Sequence, residues 1–309
     1  MHLSEPLPRR AFLKAAAATA LGLGGTVAWG LGQGNTPADK NEKGQPQPQP
    51  SPQDEFGGFR VGVQSYSFRN FNLEQTLTRV RELGLRYIEF YRGHVPTNST
   101  PDQIRAVRRL CADNNITPIA FGVERFSNDR DACRRLFEFG AALGVQHFSA
   151  DPDPNSFEVL DRLVAEYRIS IAIHPHGPAG NNMLHRWWGS EVILPAIRDH
   201  HALIGTCLDT GHLIRAAQLN RRLDPAAEIR AMGARNFGLH LKDHDNERRT
   251  DVIFGRGSLN VLSVLRALRE VRFNGFISIE YEANPMNPSP DIRECLNVFR
   301  EAVRQLNAG

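Results

Sequence analysis

Short apolar runs alternate with longer segments of helical periodicity from residue 59 to the C-terminus. The short runs are rich in β-branched residues and predict strands, whereas the segments between them predict amphipathic helices. One apolar helix face is formed by Leu73, Leu77, Val80 and Leu83. Gly84 follows and predicts the end of that helix. Eight runs of the strand type begin at residues 60, 86, 117, 146, 169, 203, 236 and 275.

This repeat of strand and helix predicts the fold class. Eight βα units in about 250 residues are typical of a single α/β barrel, the (β/α)8 or TIM barrel. An open, doubly wound sheet is the alternative, but no G-x-G-x-x-G motif follows the first strand. Because the pattern is continuous, we predict one catalytic domain over residues 59–309.

The first residues have the pattern of a targeting sequence. Residues 8–14 read PRRAFLK, and the uncharged, apolar run 15–31 follows. A basic segment before a short apolar one is typical of a signal peptide, and the paired Arg9 and Arg10 resemble a twin-arginine export signal. We therefore predict a twin-arginine signal peptide over residues 1–32 and a periplasmic protein, tethered to the membrane if the signal stays uncleaved. A membrane anchor or a chance basic helix is the alternative.

A linker is predicted after the signal. Residues 45–53 read QPQPQPSPQ, and this proline- and glutamine-rich composition cannot form a packed core. We predict an extended, disordered, polyproline-like linker over residues 33–58.

The charge of the chain narrows the choice of partners. The formal net charge is +3, and residues 1–32 hold three basic side chains against one acidic one. Little net charge is therefore left for the rest of the chain. A nearly neutral barrel argues against a broad nucleic-acid-binding surface, so we predict no nucleic-acid partner.

The cysteines indicate thiols rather than a disulfide framework. Cys111, Cys133, Cys207 and Cys295 are widely spaced and form no CxxC pair. An even number of cysteines permits disulfides in an exported protein. In a large domain that folds before export, however, we predict four buried thiols.

Metal-ligand side chains occur at the ends of four neighbouring predicted strands. These residues are His174, Asp209, His240 and Glu280, separated by about one βα unit each. Because catalytic residues of such barrels lie at the C-terminal ends of the strands, we expect the four to meet at the barrel mouth. Two imidazoles and two carboxylates suit Mn, Co, Zn or Fe better than Ca or Mg. The alternative is that each is a hydrogen-bonded polar residue near a strand end.

Five motifs together resemble a known family. They are IAIHPHGP at 171–178, CLDTGH at 207–212, LHLKD at 239–243, FGRGSL at 254–259 and GFISIEYE at 275–282. Over residues 59–306 the chain resembles the sugar phosphate isomerase/epimerase group of the xylose-isomerase-like barrel superfamily.

The resemblance implies one divalent metal ion, bound by side chains from strands five to eight. The family has Glu, Asp, His and Glu there, and the matching residues are His174, Asp209, His240 and Glu280. His174 departs from the pattern, since ketose epimerases use a glutamate there, paired with the strand-eight glutamate, to move the substrate proton. A neutral imidazole can still bind the metal or act as a base near neutral pH. Manganese is the expected ion, with zinc, cobalt and iron as alternatives.

The mechanism that the resemblance implies is proton abstraction next to a carbonyl, through a metal-stabilised enediolate. The residues that would take the proton are Glu280, His176, His212 and Glu282. Lys242 would stabilise an enediolate oxygen. The alternatives are that His176 and His212 only orient metal ligands, and that Lys242 forms an ion pair with Asp243 at the rim.

Weaker candidates for substrate contact follow the earlier strands and the fifth strand. They are Glu89, His94, Glu124, Asp151 and Trp187. Each is alternatively a loop-capping or solvated residue, or in the case of Trp187 a loop anchor. The turn at residues 254–259 offers backbone N–H groups for a phosphate, with a plain structural turn as the alternative.

The resulting hypothesis is a metal-dependent sugar isomerase or epimerase with a small-molecule sugar substrate. A metal-dependent lyase or hydrolase of keto-sugars or 3-keto-glycosides is the first alternative. An apurinic endonuclease and a non-catalytic carbohydrate-binding barrel are more distant ones. The sequence leaves a homo-oligomer open.

Overall fold

The computed structural model describes residues 54–179 and 182–308, and eight parallel strands form a closed barrel in it. The strands are β1 (Arg60–Gln64), β2 (Tyr87–Phe90), β3 (Thr117–Phe126), β4 (His147–Pro152), β5 (Ser170–Ile173), β6 (Ile204–Asp209), β7 (Asn236–Leu241) and β8 (Phe276–Ile279). Each strand pairs with its neighbours in the chain, and β8 pairs with β1 to close the ring. The predicted (β/α)8 barrel and all eight predicted strands are confirmed.

Helices surround the barrel. They are α1 (Leu73–Glu82), α2 (Pro101–Asp113), α3 (Arg130–Leu143), α4 (Phe157–Tyr167), α5 (Ser190–Ile197), α6 (Thr210–Arg215), α7 (Pro225–Met232), α8 (Val261–Glu270) and α9 (Ser289–Ala308). Two short antiparallel hairpins interrupt the repeat, one pairing Pro178–Ala179 with Met183–Leu184 and the other pairing Asp243–Asp245 with Thr250–Val252.

The first helix shows how local sequence fixes an element. The Asn72 side chain accepts a hydrogen bond from the Gln75 amide, and the Gln75 side chain accepts one from the Asn72 amide. This capping box satisfies two backbone donors that the first turn would leave free. Leu77 and Val80 are fully buried on the face that the periodicity predicts.

The interior of the barrel at the N-terminal ends of the strands is apolar. Ile119, Ala120, Ala172, Cys207 and Phe276 form a cluster of strand residues separate from the main core. A Cβ at Gly238 would lie 2.6 Å from the Phe276 ring, so the glycine makes room for that ring. The bottom of the barrel is therefore filled by side chains, as is usual for this fold.

The chain before β1 packs onto the last helix. A short helical turn spans Asp54–Phe56, and the buried Phe56 ring meets Phe299 edge-on at 5.9 Å. Glu55 forms an ion pair with Arg300 at 2.8 Å. Residues 54–56, which the sequence assigns to the linker, thus contact α9. The predicted signal peptide and the rest of the predicted linker lie outside the described residues, except for Gly57 and Gly58.

One further expectation from the sequence concerns the cysteines. All four cysteines are free and buried, which confirms the prediction of thiols. Burial raises the pKa of the Cys111 and Cys295 thiols to about 12. Among the helices that the structure describes, none has both the length and the apolar character required to cross a bilayer.

Candidate metal centre and active site

Four neighbouring strands bring the predicted metal ligands to one level of the barrel mouth. Asp209 ends β6 and lies in register with His240 of β7. His174 and Glu280 directly follow β5 and β8, and their amides donate to Ala150 O at 2.8 Å and Leu241 O at 3.1 Å. These two bonds continue the strand ladder by one residue. The side chains therefore converge, as the spacing of the sequence predicts.

The geometry of the four side chains fits a metal ion. One donor atom from each of His174, Asp209, His240 and Glu280 lies within 4.8 Å of all the others, and all four residues are buried. His174 Nε2 is 3.5 Å from Asp209 Oδ2, and His240 Nδ1 is 3.2 Å from Glu280 Oε2. Asp209 Oδ2 is buried without a hydrogen-bond partner among the described residues. An orphaned carboxylate oxygen at this point is suited to bind a cation.

The local backbone orients Asp209. Its Oδ1 atom accepts a hydrogen bond of 2.7 Å from the His212 amide and caps the N-terminus of α6. This bond leaves Oδ2 to face His174 and His240. Although burial opposes ionisation, Lys242 and the histidines around it hold the pKa of Asp209 well below its usual range.

Glu89 supports the centre from below rather than facing the substrate. Its Oε2 atom lies 2.8 Å from His240 Nε2 and accepts a hydrogen bond of 2.7 Å from Ser278 Oγ. Since Glu89 takes the Nε2 side of the ring, Nδ1 of His240 faces the cluster. Burial raises the pKa of Glu89, but the adjacent His240 outweighs it and the net shift is downward. Glu89 is fully buried, which differs from its predicted contact with substrate.

Lys242 belongs to the centre. Its Nζ atom lies 2.9 Å from Glu280 Oε2, 3.5 Å from Asp209 Oδ2 and 2.5 Å from Glu282 Oε1. Burial opposes the charged ammonium, but the three carboxylates raise the pKa of Lys242 well above its usual value. Lys242 is therefore a buried cation.

Asp243 points away from Lys242, so the rim ion pair that the sequence left as an alternative does not form. Its carboxylate accepts hydrogen bonds from the amides of Gly255 at 2.8 Å, Gly257 at 3.0 Å and Leu259 at 2.9 Å. These are backbone donors of the turn at residues 254–259. An internal carboxylate thus already occupies the donors that were considered for phosphate, and the turn is structural.

A cavity of about 370 Å³, called here the inner cavity, opens above the ligand cluster. Six of the predicted site residues line it, namely His174, His176, His212, Glu280, Glu282 and Glu124. The candidate metal ligands and the candidate proton-transfer groups therefore share one space.

His176 and His212 are neutral side chains in the wall of the inner cavity. His212 Nδ1 accepts a hydrogen bond of 2.9 Å from the Gly177 amide, which assigns the proton of the neutral ring to Nε2. Burial, aided by nearby cations and imidazoles, lowers the pKa of His212 well below its usual value. Burial and the neighbouring His174 lower the pKa of His176 to about 3. His212 can thus donate a hydrogen bond to a ligand oxygen.

Besides Glu89, three further predicted contact residues do not line the inner cavity. His94 Nε2 lies 2.9 Å from Phe71 O, at the edge of β2. Asp151 pairs with Arg186 at 2.8 Å. Trp187 is buried, and its indole N–H donates to Pro152 O at 2.9 Å, so it anchors its loop. One polar atom of each side chain has a protein partner, although His94 Nδ1 is buried without one among the described residues.

Several lining residues were missed in the sequence. Tyr66, Tyr91, Arg92 and Arg215 all line the inner cavity. Arg92 forms an ion pair with Glu124, and the rings of Tyr66 and Tyr91 meet edge-on at 5.3 Å. The first three lie within two residues of the ends of β1 and β2, a position that could have marked them.

The chain belongs to the family described as Xylose isomerase-like TIM barrel, which matches residues 77–302. A relative is an uncharacterized protein of Methanocaldococcus jannaschii, which is 25% identical over 195 residues. That alignment covers 57% of this chain and 64% of the relative, so it spans less than two thirds of the relative's length.

Solved structures with the same fold include named sugar epimerases. A putative uncharacterized protein from Parabacteroides distasonis is 27% identical, with a TM-score of 0.61, over 79% of this chain and 98% of the other. A D-tagatose 3-epimerase-like protein is 18% identical, with a TM-score of 0.64, over 81% and 99%. The 3-keto-D-glucoside 4-epimerase YcjR from E. coli is 15% identical, with a TM-score of 0.61, over 79% and 99%.

Proposed function

We propose that this protein is a divalent-metal-dependent sugar isomerase or epimerase that removes a proton from the carbon next to a carbonyl. The observation that carries the proposal is the cluster of His174, Asp209, His240 and Glu280, which opens into a cavity of about 370 Å³. The structural neighbours named as sugar epimerases support the same class of reaction. At 18% identity and below, that support concerns the fold, so the reaction rests on the site.

The four candidate ligands and the residues next to them have different roles in the proposed reaction. His174, Asp209, His240 and Glu280 would hold a divalent ion, manganese being the expected one, and the bound ion would supply the polarisation of a carbonyl and an adjacent hydroxyl of the sugar. Glu280 lines the inner cavity and takes the proton from the substrate carbon. Lys242, 2.9 Å from Glu280 Oε2, keeps that carboxylate ionised before the transfer. Its ammonium also offers positive charge near the developing enediolate.

Residues on the cavity wall orient the substrate and return the proton. The Nε2–H of His212 donates to a substrate oxygen, because the Gly177 amide holds Nδ1. His176 lies beside His174, with 4.7 Å between ring centroids, and its Nδ1 is buried without a partner among the described residues. We assign the return of the proton to protonated Glu280 when it goes to the other carbon. For the other face, a solvent molecule oriented by Nδ1 of the neutral His176 gives the proton, and the hydroxide that is left takes the proton from Glu280. His174 then serves as a ligand and replaces the second carboxylate of ketose epimerases.

A lyase or hydrolase of 3-keto-glycosides is the second candidate, and one observation favours it. A further cavity of about 410 Å³, called here the outer cavity, shares Arg215 and Glu282 with the inner one. It offers space for the aglycone of a glycoside. Loss of a β-substituent from the same enediolate would then replace reprotonation.

Isotope exchange tests the proposal. The purified protein is incubated with ketoses and 3-keto-glycosides in D2O, with and without a chelator, and the sugars are followed by NMR. We expect deuterium at the carbon next to the carbonyl, abolished by the chelator and by Glu280→Gln but not by Glu166→Gln, a surface control. Release of the aglycone would favour the lyase. Chelator-insensitive exchange, or none with any sugar, would contradict the proposal.

We also propose export through the twin-arginine pathway, on the basis of Arg9 and Arg10. Replacing both arginines by lysine keeps the charge but removes the paired guanidinium groups. The variant should accumulate in the cytoplasm on cell fractionation, whereas the wild type should be found in the periplasm or at the membrane. Equal distribution of the two proteins would contradict export by this route.

A further inference from the structure

The inner and outer cavities meet at two side chains. Arg215, the last residue of α6, and Glu282, two residues after Glu280, line both of them. A ligand larger than the inner cavity would therefore pass between a guanidinium and a carboxylate. Both charged groups therefore face any ligand that extends from one cavity into the other.

The carboxylates of the outer cavity already have partners. Glu282 lies 2.5 Å from Lys242 Nζ, and Asp251 lies 2.8 Å from His244 Nδ1. Neither carboxylate forms an ion pair with Arg215. The two carboxylates on this wall are thus paired with Lys242 and His244 rather than with Arg215.

Arg215 lacks a counter-ion in the described part of the chain. Its one hydrogen bond joins Nη1 to His212 Nδ1, a neutral atom, at 3.3 Å. Its Nε atom is buried and has no partner. Arg92 and Arg134, by contrast, each form an ion pair, with Glu124 and Glu166. A half-buried guanidinium without an anion is costly, because its lost hydration is not replaced.

We propose that the substrate is an acidic sugar whose anionic group, a carboxylate or a phosphate, binds Arg215 in the outer cavity. The assignment rests on the proposed sugar chemistry of the inner cavity. Arg249 lines the same space, is exposed and forms no ion pair with a described residue, so it supplies a second cation. The planar guanidinium matches either oxyanion through paired N–H donors. The neutral part of the sugar then reaches the ligand cluster.

A purely structural role for Arg215 makes a different prediction. Arg215 lies at the C-terminus of α6 and contacts His212, so it could act only by stabilising the helix end and that ring. Such a role would affect neutral and acidic sugars equally. Substrate binding by charge affects only the acidic ones.

Binding titrations of the full chain separate the two roles. The probes are D-glucose, D-glucuronate and D-glucose 6-phosphate, measured by NMR or calorimetry at low salt. We expect at least one acid to bind about tenfold or more tightly than glucose, as a charge-assisted hydrogen bond provides. Arg215→Gln should remove most of the preference for the acid, and Arg215→Gln combined with Arg249→Gln should remove all of it. Arg215→Lys should retain more of the preference than Arg215→Gln. Comparing the two acids distinguishes carboxylate from phosphate.

The control is Arg222→Gln, which removes an exposed arginine outside both cavities and should leave all three affinities unchanged. Equal binding of the three sugars would overturn the proposal. A preference for acids that survives Arg215→Gln combined with Arg249→Gln would overturn it too. Because no turnover is measured, this failure is distinct from the absence of isotope exchange.

Discussion

The two ends of the barrel use the same strands but opposite kinds of side chain. Alternate residues of a strand face the same side, so inward positions are two residues apart. Along four strands, the inward residue nearest the mouth is of a metal-ligand type, whereas the inward residue deeper in the barrel is apolar or small. The pairs are Ala172 and His174, Cys207 and Asp209, and Gly238 and His240, and on the last strand Phe276 is followed by Ser278 and Glu280.

Within a single strand, the residues at one end contribute to stability and those at the other end contribute to the chemistry of the site. At the N-terminal ends of the strands, called here the lower end of the barrel, Phe276 fills the interior. It packs against His147, with ring centroids 5.1 Å apart. At the mouth, buried carboxylates, imidazoles and Lys242 compensate one another. Apolar burial stabilises the folded chain, whereas a buried charge cluster is retained for what it binds. Substitutions at the two ends should therefore have different consequences.

The largest effect is expected at the mouth. Asp209→Asn keeps the N-cap of α6 through the side-chain oxygen but removes the negative charge of a proposed metal ligand. Isotope exchange into the substrate should fall at least about a thousandfold, since the barrier loses several kcal/mol of electrostatic stabilisation. The matched control is Asp224→Asn, which alters the capping aspartate of α7. Comparable losses in both variants would remove the distinction between capping and catalysis.

A large but different effect is expected at the lower end. Phe276→Ala empties a fully buried position and should reduce the free energy of unfolding by about 3–5 kcal/mol. Denaturant unfolding measures this loss. The variant should bind metal with the stoichiometry of the wild type under conditions in which it is folded. Loss of metal from folded Phe276→Ala protein would show that the two ends are not separable.

A smaller effect is expected just beneath the centre. Glu89→Gln keeps the shape of the side chain but weakens the hydrogen bond that orients His240. Metal affinity should decrease by about 10- to 100-fold, as measured by competition with a chelator. Ser278→Ala, which removes a donor to Glu89, should have a weaker effect in the same direction. Unchanged affinity in both variants would assign Glu89 a merely structural role.

The smallest effect is expected in the pH dependence of stability, and it concerns His147 at the lower end of the barrel. Burial, together with the nearby Arg60 cation, lowers the pKa of His147 from 6.5 to about 4. Between these values the unfolded chain binds the proton and the folded chain does not, so stability falls as the pH decreases through this window. The contribution is at most about 3 kcal/mol. His147→Asn should flatten the pH dependence of unfolding from pH 6.5 to 4, and an unchanged slope would contradict the assignment.

The sequence predicted the parts of the site that strand periodicity controls. The spacing of His174, Asp209, His240 and Glu280 by one βα unit corresponds to their convergence at the mouth. All eight strands were predicted because buried parallel strands read as short apolar runs between helices. These features depend on local pattern and on the general geometry of the barrel.

The sequence did not predict features that depend on side-chain direction beyond the strand ends. Lys242 and Asp243 are adjacent, but one turns to the metal ligands and the other to the amides around Gly257. For Trp187 the sequence left substrate contact and a loop anchor as alternatives, and the hydrogen bond from its indole N–H to Pro152 O identifies the anchor. Arg215 ends a short helix and gives no periodic signal. For Lys242, Asp243 and Trp187 the partners lie elsewhere in the chain, and only the folded structure identifies them.

The metal content of the purified protein tests the central claim most directly. Elemental analysis of the full chain should find one divalent ion per molecule, and the variant combining Asp209→Ala with His240→Ala should retain none. Asp224→Asn, which leaves the cluster intact, should keep the ion. A metal content that the double substitution does not change would contradict the assignment of these strand ends as a metal centre.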